Sequence, residues 1–418
     1  MELKDRKTRI TFHAGVLTIG GTVIEINYEG SRIFFDFGTE FRPELKLKDE
    51  LLDTLIEHRL IPELDVYDEV FGRTVNGANT AVFLSHCHLD HTRMINYLDP
   101  QVPLYALEDT KRLIELLNQD GTFVLPAINK DYVTREILGV KPDSTIKVGD
   151  IEVTLHRVDH DAYGACGMMI RTPDCVIAYT GDLRLHGFDS ADTVAFCEKA
   201  KNCDMLIMEG VSISFEGRPE SKTNKFASEE ALLDWIVDEV ENHPNQQITF
   251  NGYLANVKRF AHIVAKVRRS VVLKEKMAYI LKSLLDMDCL YEKDPNKDWG
   301  LNPELEVDIS QRDEHPEKYL WQIQGFDDQL QSGGIYIHCD ADPLGLFDPA
   351  YLVFKQQFLD KGIEFNHVGC TGHAFPNDLD AIIEMIQPKC LVPIHTLRPD
   401  LLLNPYGSVH LPQRGETI

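Results

Sequence analysis

Apolar and polar positions along the chain divide it into three textures. The opening alternates: TVIEINYEG and RIFFDFG carry β-branched and aromatic residues at every second position, parted by Glu29-Gly30-Ser31, and this predicts a hairpin. Residues 41–72 have Leu, Asp and Glu at helical intervals and predict helix over one side of a sheet. TAVFLSHCHLDH is a short apolar run entering a His-rich loop, and LEDTKRLIELLNQ returns to helical spacing. From about 145 to 210, short apolar runs recur, each a strand whose end is polar. After Gly210, strands and helices alternate. ASEEALLDWIVDEVENH begins at a plausible Ser228 cap, and ITFNGY, VKRFAHIVAKV, VVLKEKMAYILKSLL and GGIYIHCD follow, the pattern of a parallel sheet. The polar, proline-bearing stretch 293–318 reads as loop or lid. From Phe365 the early texture returns, with the helix FPNDLDAIIEMIQ and the strand CLVPIHT. The expected organisation is one α/β domain interrupted by a second.

Composition changes this picture in two ways. With 418 residues, 43% hydrophobic and 26% charged, two or three globular domains are expected and wholesale disorder is excluded. No apolar run approaches the ~18 residues of a membrane span. MELKDRKTRI has no apolar signal core, so a cytoplasmic protein is expected, and nine scattered cysteines without C-x-x-C suit reduced thiols. The net charge of −25 votes against polyanions and membrane surfaces unless basic residues are concentrated locally. Such a concentration exists: Gly252 to Lys274 has six Lys and Arg and no Asp or Glu.

The candidate chemistry lies at strand ends. His86, His88, Asp90 and His91 put three imidazoles and a carboxylate within six positions, a spacing that suits Zn-like ions. Alternate positions on a turn let His86 and His88 share one ion while Asp90 and His91 face a second. Val158-Asp159-His160, Gly181-Asp182 and Pro393-Ile394-His395 end further apolar runs. Asp182, with two oxygens, could bridge two ions.

HCHLDH resembles the HxHxDH signature of metallo-β-lactamase-fold hydrolases, and Asp36, His160 and Asp182 match further motifs of that fold in order. Glu209 in LIMEG, His373 in TGHA and His395 in PIHT resemble motifs A, B and C of the β-CASP subfamily, which includes ribonuclease J. The resemblance implies an αββα sandwich over 1–210 and 366–418, interrupted by an α/β β-CASP domain over 211–365, without the C-terminal domain of ribonuclease J. It implies His86, His88 and His160 on one ion, Asp90, His91 and His395 on the other, Asp182 between them, and Asp36 orienting the ligands. Two divalent ions, Zn first and Mn as alternative, would then activate a hydroxide for in-line attack on phosphorus. Glu209 would hold His373 as the general acid.

The expected activity is that of a ribonuclease or phosphodiesterase. The alternatives are a hydrolase of a small substrate (a short or cyclic nucleotide, or a thioester) and a non-catalytic RNA- or protein-binding scaffold. RNA or a smaller phosphodiester is the expected partner, with no membrane, and ribonuclease J-like proteins often dimerise. Four residues are expected to touch substrate: Asn256 and Arg259, in an Asn-x-x-Arg element, and His367 and Thr371, in a turn resembling HVSGHA. That turn has two extra residues here and Thr for Ser, and Asp340 and Asp342 stand where ribonuclease J tends to present small hydroxyls. Both departures bear on how a phosphate would be held.

Overall fold

The computed structural model describes residues 6–73, 75–128, 131–215 and 224–418. The chain forms two compact units, one made of residues 1–218 and 372–418, the other of residues 219–371.

In the first unit, two mixed sheets face each other. One runs Arg9–Ala14, Val23–Tyr28, Ser31–Phe35, Thr80–Phe83, Leu104–Leu107, Leu138–Val140; its first three strands are antiparallel and the rest parallel. The expected hairpin is its centre, turning at Glu29-Gly30. The other sheet runs Ser408–Val409, Cys390–Ile394, Met205–Glu209, Cys175–Tyr179, Cys166–Thr172, Ile151–Arg157, Thr145–Val148. Alternation decides which side chains meet between the sheets: Ile24, Ile26, Ile33 and Phe35 from one pack with Val153, Leu155, Met168, Ile177 and Ile207 from the other. The outer face of the second sheet is covered by Ser190–Lys199 and Pro376–Ile386, through Phe196, Leu379, Ile382 and Ile383. The first sheet is flanked by Glu108–Leu117, which buries Leu113, Ile114 and Leu117. The layers are therefore α/β/β/α. The parallel strands Thr80–Phe83, Met205–Glu209 and Cys390–Ile394 are buried along their whole length, which is why they read as continuous apolar runs. The helix expected over 41–72 is confined to Leu52–Glu57 and two single 3-10 turns.

The second unit is built on a seven-stranded, all-parallel sheet ordered Asn224–Lys225, Glu364–Gly369, Ile335–Cys339, Ile248–Gly252, Tyr319–Gln322, Ser270–Lys274, Leu290–Glu292. Its longest helix, Glu229–Asn242, starts at Ser228, whose hydroxyl accepts the Ala231 amide as a cap. Two expectations are corrected here. The strand Glu364–Gly369 pairs with Ile335–Cys339, so residues 366–371 belong to this unit and not to the first domain; an apolar strand resembles its neighbours whichever sheet it joins. The stretch 293–318 is no lid, because it anchors Trp299 and Arg312 in the interior, with Arg312 bonded to Asp313 and Asp327. Among the described residues, no helix is long and apolar enough to cross a membrane. All nine cysteines are buried thiols, and burial raises the pKa of Cys87, inside the His-rich motif.

Candidate metal centre

The strand Thr80–Phe83 is apolar and fully buried, so the chain leaves the sheet at Ser85 with polar residues still deep in the unit. His86 and His88 lie on the extended exit, and His88 stands immediately before the short helix Leu89–Thr92, which carries Asp90 and His91. Gly38 permits this placement: a Cβ there would lie 1.8 Å from the Asp90 carbonyl oxygen, so only glycine lets the two segments touch. The Asp90 carbonyl also accepts the amides of Gly21 and Thr22, fixing the helix from the other side. His160, Asp182 and His395 arrive from the ends of three different runs of the second sheet.

These seven residues form two groups that share one carboxylate. His86, His88, His160 and Asp182 offer ligand atoms all within 4.8 Å of one another, as do Asp90, His91, Asp182 and His395. Asp182 Oδ2 lies 3.6 Å from His86 Nε2, 3.3 Å from His91 Nε2 and 3.7 Å from His395 Nε2. The Nε2 atoms of His86, His91 and His395 are buried without a hydrogen-bond partner. Orphaned ring nitrogens aimed at a shared carboxylate fit divalent cations, which would satisfy all of them at once.

The outer partners prepare the rings for that task. Asp36 is buried and held at a left-handed φ of 62°. Its Oδ1 accepts the Ser85 amide at 2.7 Å, and its Oδ2 accepts the Ser85 hydroxyl at 2.8 Å, His91 Nδ1–H at 2.8 Å and the Tyr179 hydroxyl. Ser85 Oγ, its proton given to Asp36, can accept His86 Nδ1–H at 2.9 Å, and the Gly372 carbonyl accepts His160 Nδ1–H at 2.6 Å. In each ring a committed Nδ1–H leaves the Nε2 lone pair facing inward. Asp36→Asn is therefore expected to weaken metal affinity by about 10–100-fold without unfolding the unit, measurable by competition with a chelating dye.

The electrostatics agree with this division. Burial lowers the pKa of His86 and His395, and brings His160 down to about 3, so these rings are neutral and able to ligate at neutral pH. Burial opposes ionisation of Asp182, but the surrounding imidazoles of His395, His91 and His373 hold its pKa well below the usual carboxylate range. His91 goes the other way: burial is outweighed by Asp182, Asp90 and Asp36, so an ion binding there displaces a proton.

Glu209 and His373 also come together. Glu209 is buried at the end of its strand, and its Oε1 lies 3.2 Å from His373 Nδ1 while its Oε2 accepts the Val211 amide. Burial disfavours the charged ring, yet Glu209 and Asp182 overcome it and raise the His373 pKa to about 9. The imidazole is thus protonated at neutral pH beside the shared carboxylate, 3.9 Å from Asp182 Oδ2.

The residues expected to touch substrate are placed differently. Asn256 caps the helix Val257–Lys266 through the Arg259 amide and bonds Glu229. Arg259 is buried, paired with Glu229 at 2.8 Å and Asp340 at 2.9 Å, so both belong to the framework of the second unit. His367 donates or accepts at 2.6 Å with the Tyr351 hydroxyl, and burial takes its pKa to about 4. Thr371 is half-buried where the second unit ends. The basic stretch is largely neutralised in place: Lys266 pairs with Glu230 and Asp234, Arg268 with Glu241 and Lys274 with Glu292, while Arg269 serves backbone carbonyls. Sequence reasoning missed Ser85 and Asp161; each adjoins a candidate ligand, and that adjacency was the available signal.

A protein-family model described as the beta-lactamase superfamily domain matches residues 72–220. A crystal structure of a protein of unknown function from Enterococcus faecalis is 52% identical and superposes with a TM-score of 0.95, covering 99% of this chain and 100% of its own. Ribonuclease J of Mycoplasma genitalium is 21% identical over 265 residues; the match takes in 62% of this chain and only 42% of that protein, so the chain spans about two-fifths of its length. Ribonuclease J of Pyrococcus abyssi is 21% identical across 91% of this chain and 88% of its own.

Proposed function

We propose that the chain is a metallo-β-lactamase-superfamily hydrolase of the β-CASP, ribonuclease J-like kind, and that it hydrolyses phosphodiester bonds in RNA at a two-ion centre. The observation that carries this reading is the pair of His/Asp groups joined through Asp182, with a protonated His373 alongside. His86, His88 and His160 would hold one ion, Asp90, His91 and His395 the other, and Asp182 both. The chemistry that such ions supply is acidification of water and neutralisation of charge on a phosphoryl oxygen. Zn suits these donors, and Mn is the alternative. Asp36 and Ser85 keep the imidazoles oriented, and His373 delivers its proton to the departing oxygen. Glu209 holds that proton on the ring until it is needed. No nucleophilic side chain is required, consistent with a buried, protonated Cys87.

Purified protein is expected to carry about two ions per chain by elemental analysis and to cleave both an aryl phosphodiester and single-stranded RNA. One ion or none would sink the two-ion reading. A second reading, a short or cyclic nucleotide as substrate, is favoured by the internal pairing of the basic stretch and by the charge of −25. RNA binding that weakens steeply with salt supports the first; diester cleavage with no RNA binding at low salt supports the second.

A further inference from the structure

Two charged side chains beside the first group of ligands have no part in the assignments above. Asp159 stands immediately before His160, and Arg184 stands two positions after Asp182; their side chains are only 3% and 2% exposed. The two segments meet first through backbone, where the Arg184 amide donates to the Asp159 carbonyl at 2.8 Å. One hydrogen bond is a pivot about which either segment can turn. The side chains add the links that stop the turning. Arg184 Nε donates to Asp159 Oδ1 at 3.1 Å, and Arg184 Nη2 donates to the His160 carbonyl at 3.4 Å. Asp159 is held in turn: its Oδ2 accepts the Asp189 amide at 3.1 Å, and its own amide donates to Thr193 Oγ1 at 2.9 Å. Gly187 closes over the pair, since a Cβ there would lie 2.3 Å from Asp159 Oδ1 and 2.5 Å from Arg184 Nε. The Leu183 carbonyl, between Asp182 and Arg184, accepts the Ala374 amide at 2.7 Å, so the segment bearing His373 joins the same frame.

Stability does not account for a pair buried this deeply. Desolvating two charges costs about what their attraction returns, and apolar residues of similar size in both places are often as stable or more so. What apolar residues cannot supply is direction. A binding constellation works only when its members are held to within about 0.5 Å. His160 Nε2 and Asp182 Oδ2, 3.9 Å apart, are two such members, and they come from the two segments that the pair joins. We infer that Asp159 and Arg184 are positioning residues, a buried clamp that sets the spacing of His160 and Asp182 for the first ion. This rests on the two-ion reading and deepens it.

The test separates positioning from stability in the full chain. Ion-free protein is titrated with Zn²⁺ against a chelating dye, and its urea midpoint is measured without Zn²⁺. In the double variant Asp159→Leu/Arg184→Met the midpoint is expected at or above that of the wild type, because both charges leave together. Its Zn²⁺ affinity should nevertheless fall by about 10–100-fold. Should the double variant unfold early, Arg184→Lys decides. It keeps the charge but not the fixed two-donor fork, and should weaken Zn²⁺ binding by about 10-fold. Unchanged affinity in whichever variant stays folded would overturn the clamp while leaving the two-ion reading intact. A wild type that takes up no Zn²⁺ overturns both.

Discussion

Replacing His373 by alanine is expected to lower kcat for a phosphodiester by about 10²–10⁴-fold, with both ions retained. The expectation comes from what surrounds the ring. Glu209 and Asp182 raise its pKa to about 9, so the protonated form is the resting form at neutral pH. Glu209 is itself buried and tied to the Val211 amide, so it cannot swing away from the ring. His373 is not in either ligand group, which is why metal content should stay constant. Turnover that survives the substitution would refute the acid role; loss of ions together with turnover would show that the ring supports the centre instead. The pH profile gives a second reading of the same pair. A protonated ring is required, so activity falls on the alkaline side. Glu209→Gln removes the main charge raising the pKa and should move that limb to lower pH. The pair also links folding to pH in the ion-free protein. With the folded pKa above the ordinary histidine value of ~6.5, its contribution to stability is complete below that value and disappears as pH rises through about 9.

Arg259→Met should destabilise the second unit by about 3–5 kcal/mol, measured by urea unfolding. The guanidinium is buried between Glu229, reached through Nε at 2.9 Å and Nη2 at 2.8 Å, and Asp340, reached through Nη1 at 2.9 Å; Nη2 also donates to the Cys370 carbonyl at 3.1 Å. The substitution preserves bulk but removes the guanidinium from the buried Glu229 carboxylate, which also accepts from Asn256, in a medium that solvates charge poorly. Asp340 is less affected because its side chain is 33% exposed and can rehydrate. The cost should therefore lie mainly with Glu229, and the double variant Arg259→Met/Glu229→Met should recover most of it. A single-variant loss below about 1 kcal/mol, within the range of an ordinary surface pair, would contradict the buried-pair account.

How much of this was legible beforehand differs from residue to residue. The αββα layers follow from local pattern, because strands buried on both faces read as unbroken apolar runs and the hairpin announces its own turn. The candidate donors were legible for the same reason. His86, His160, Asp182 and His395 each stand just after such a run, and a metal site demands rare residue types that surface drift does not cluster. The helix over 41–72 failed because a Leu-and-acid rhythm also suits irregular segments that bury one residue in three or four. The boundary near 366 failed because a strand's composition does not say which sheet it will join.

Charge is where sequence and tertiary structure part most clearly. Arg259 looked like a cation in a basic stretch, but its partners lie 30 and 81 positions away. Asp161 looked like a neighbour of a ligand, and its environment depends on a glycine more than two hundred positions later. By itself the sequence determined most of the strands, and the types and order of the candidate donors, since those depend on residues close along the chain. Only the tertiary structure decided which charges are spent internally and which nitrogens face the shared carboxylate, because Coulomb and desolvation energies depend on distance in space.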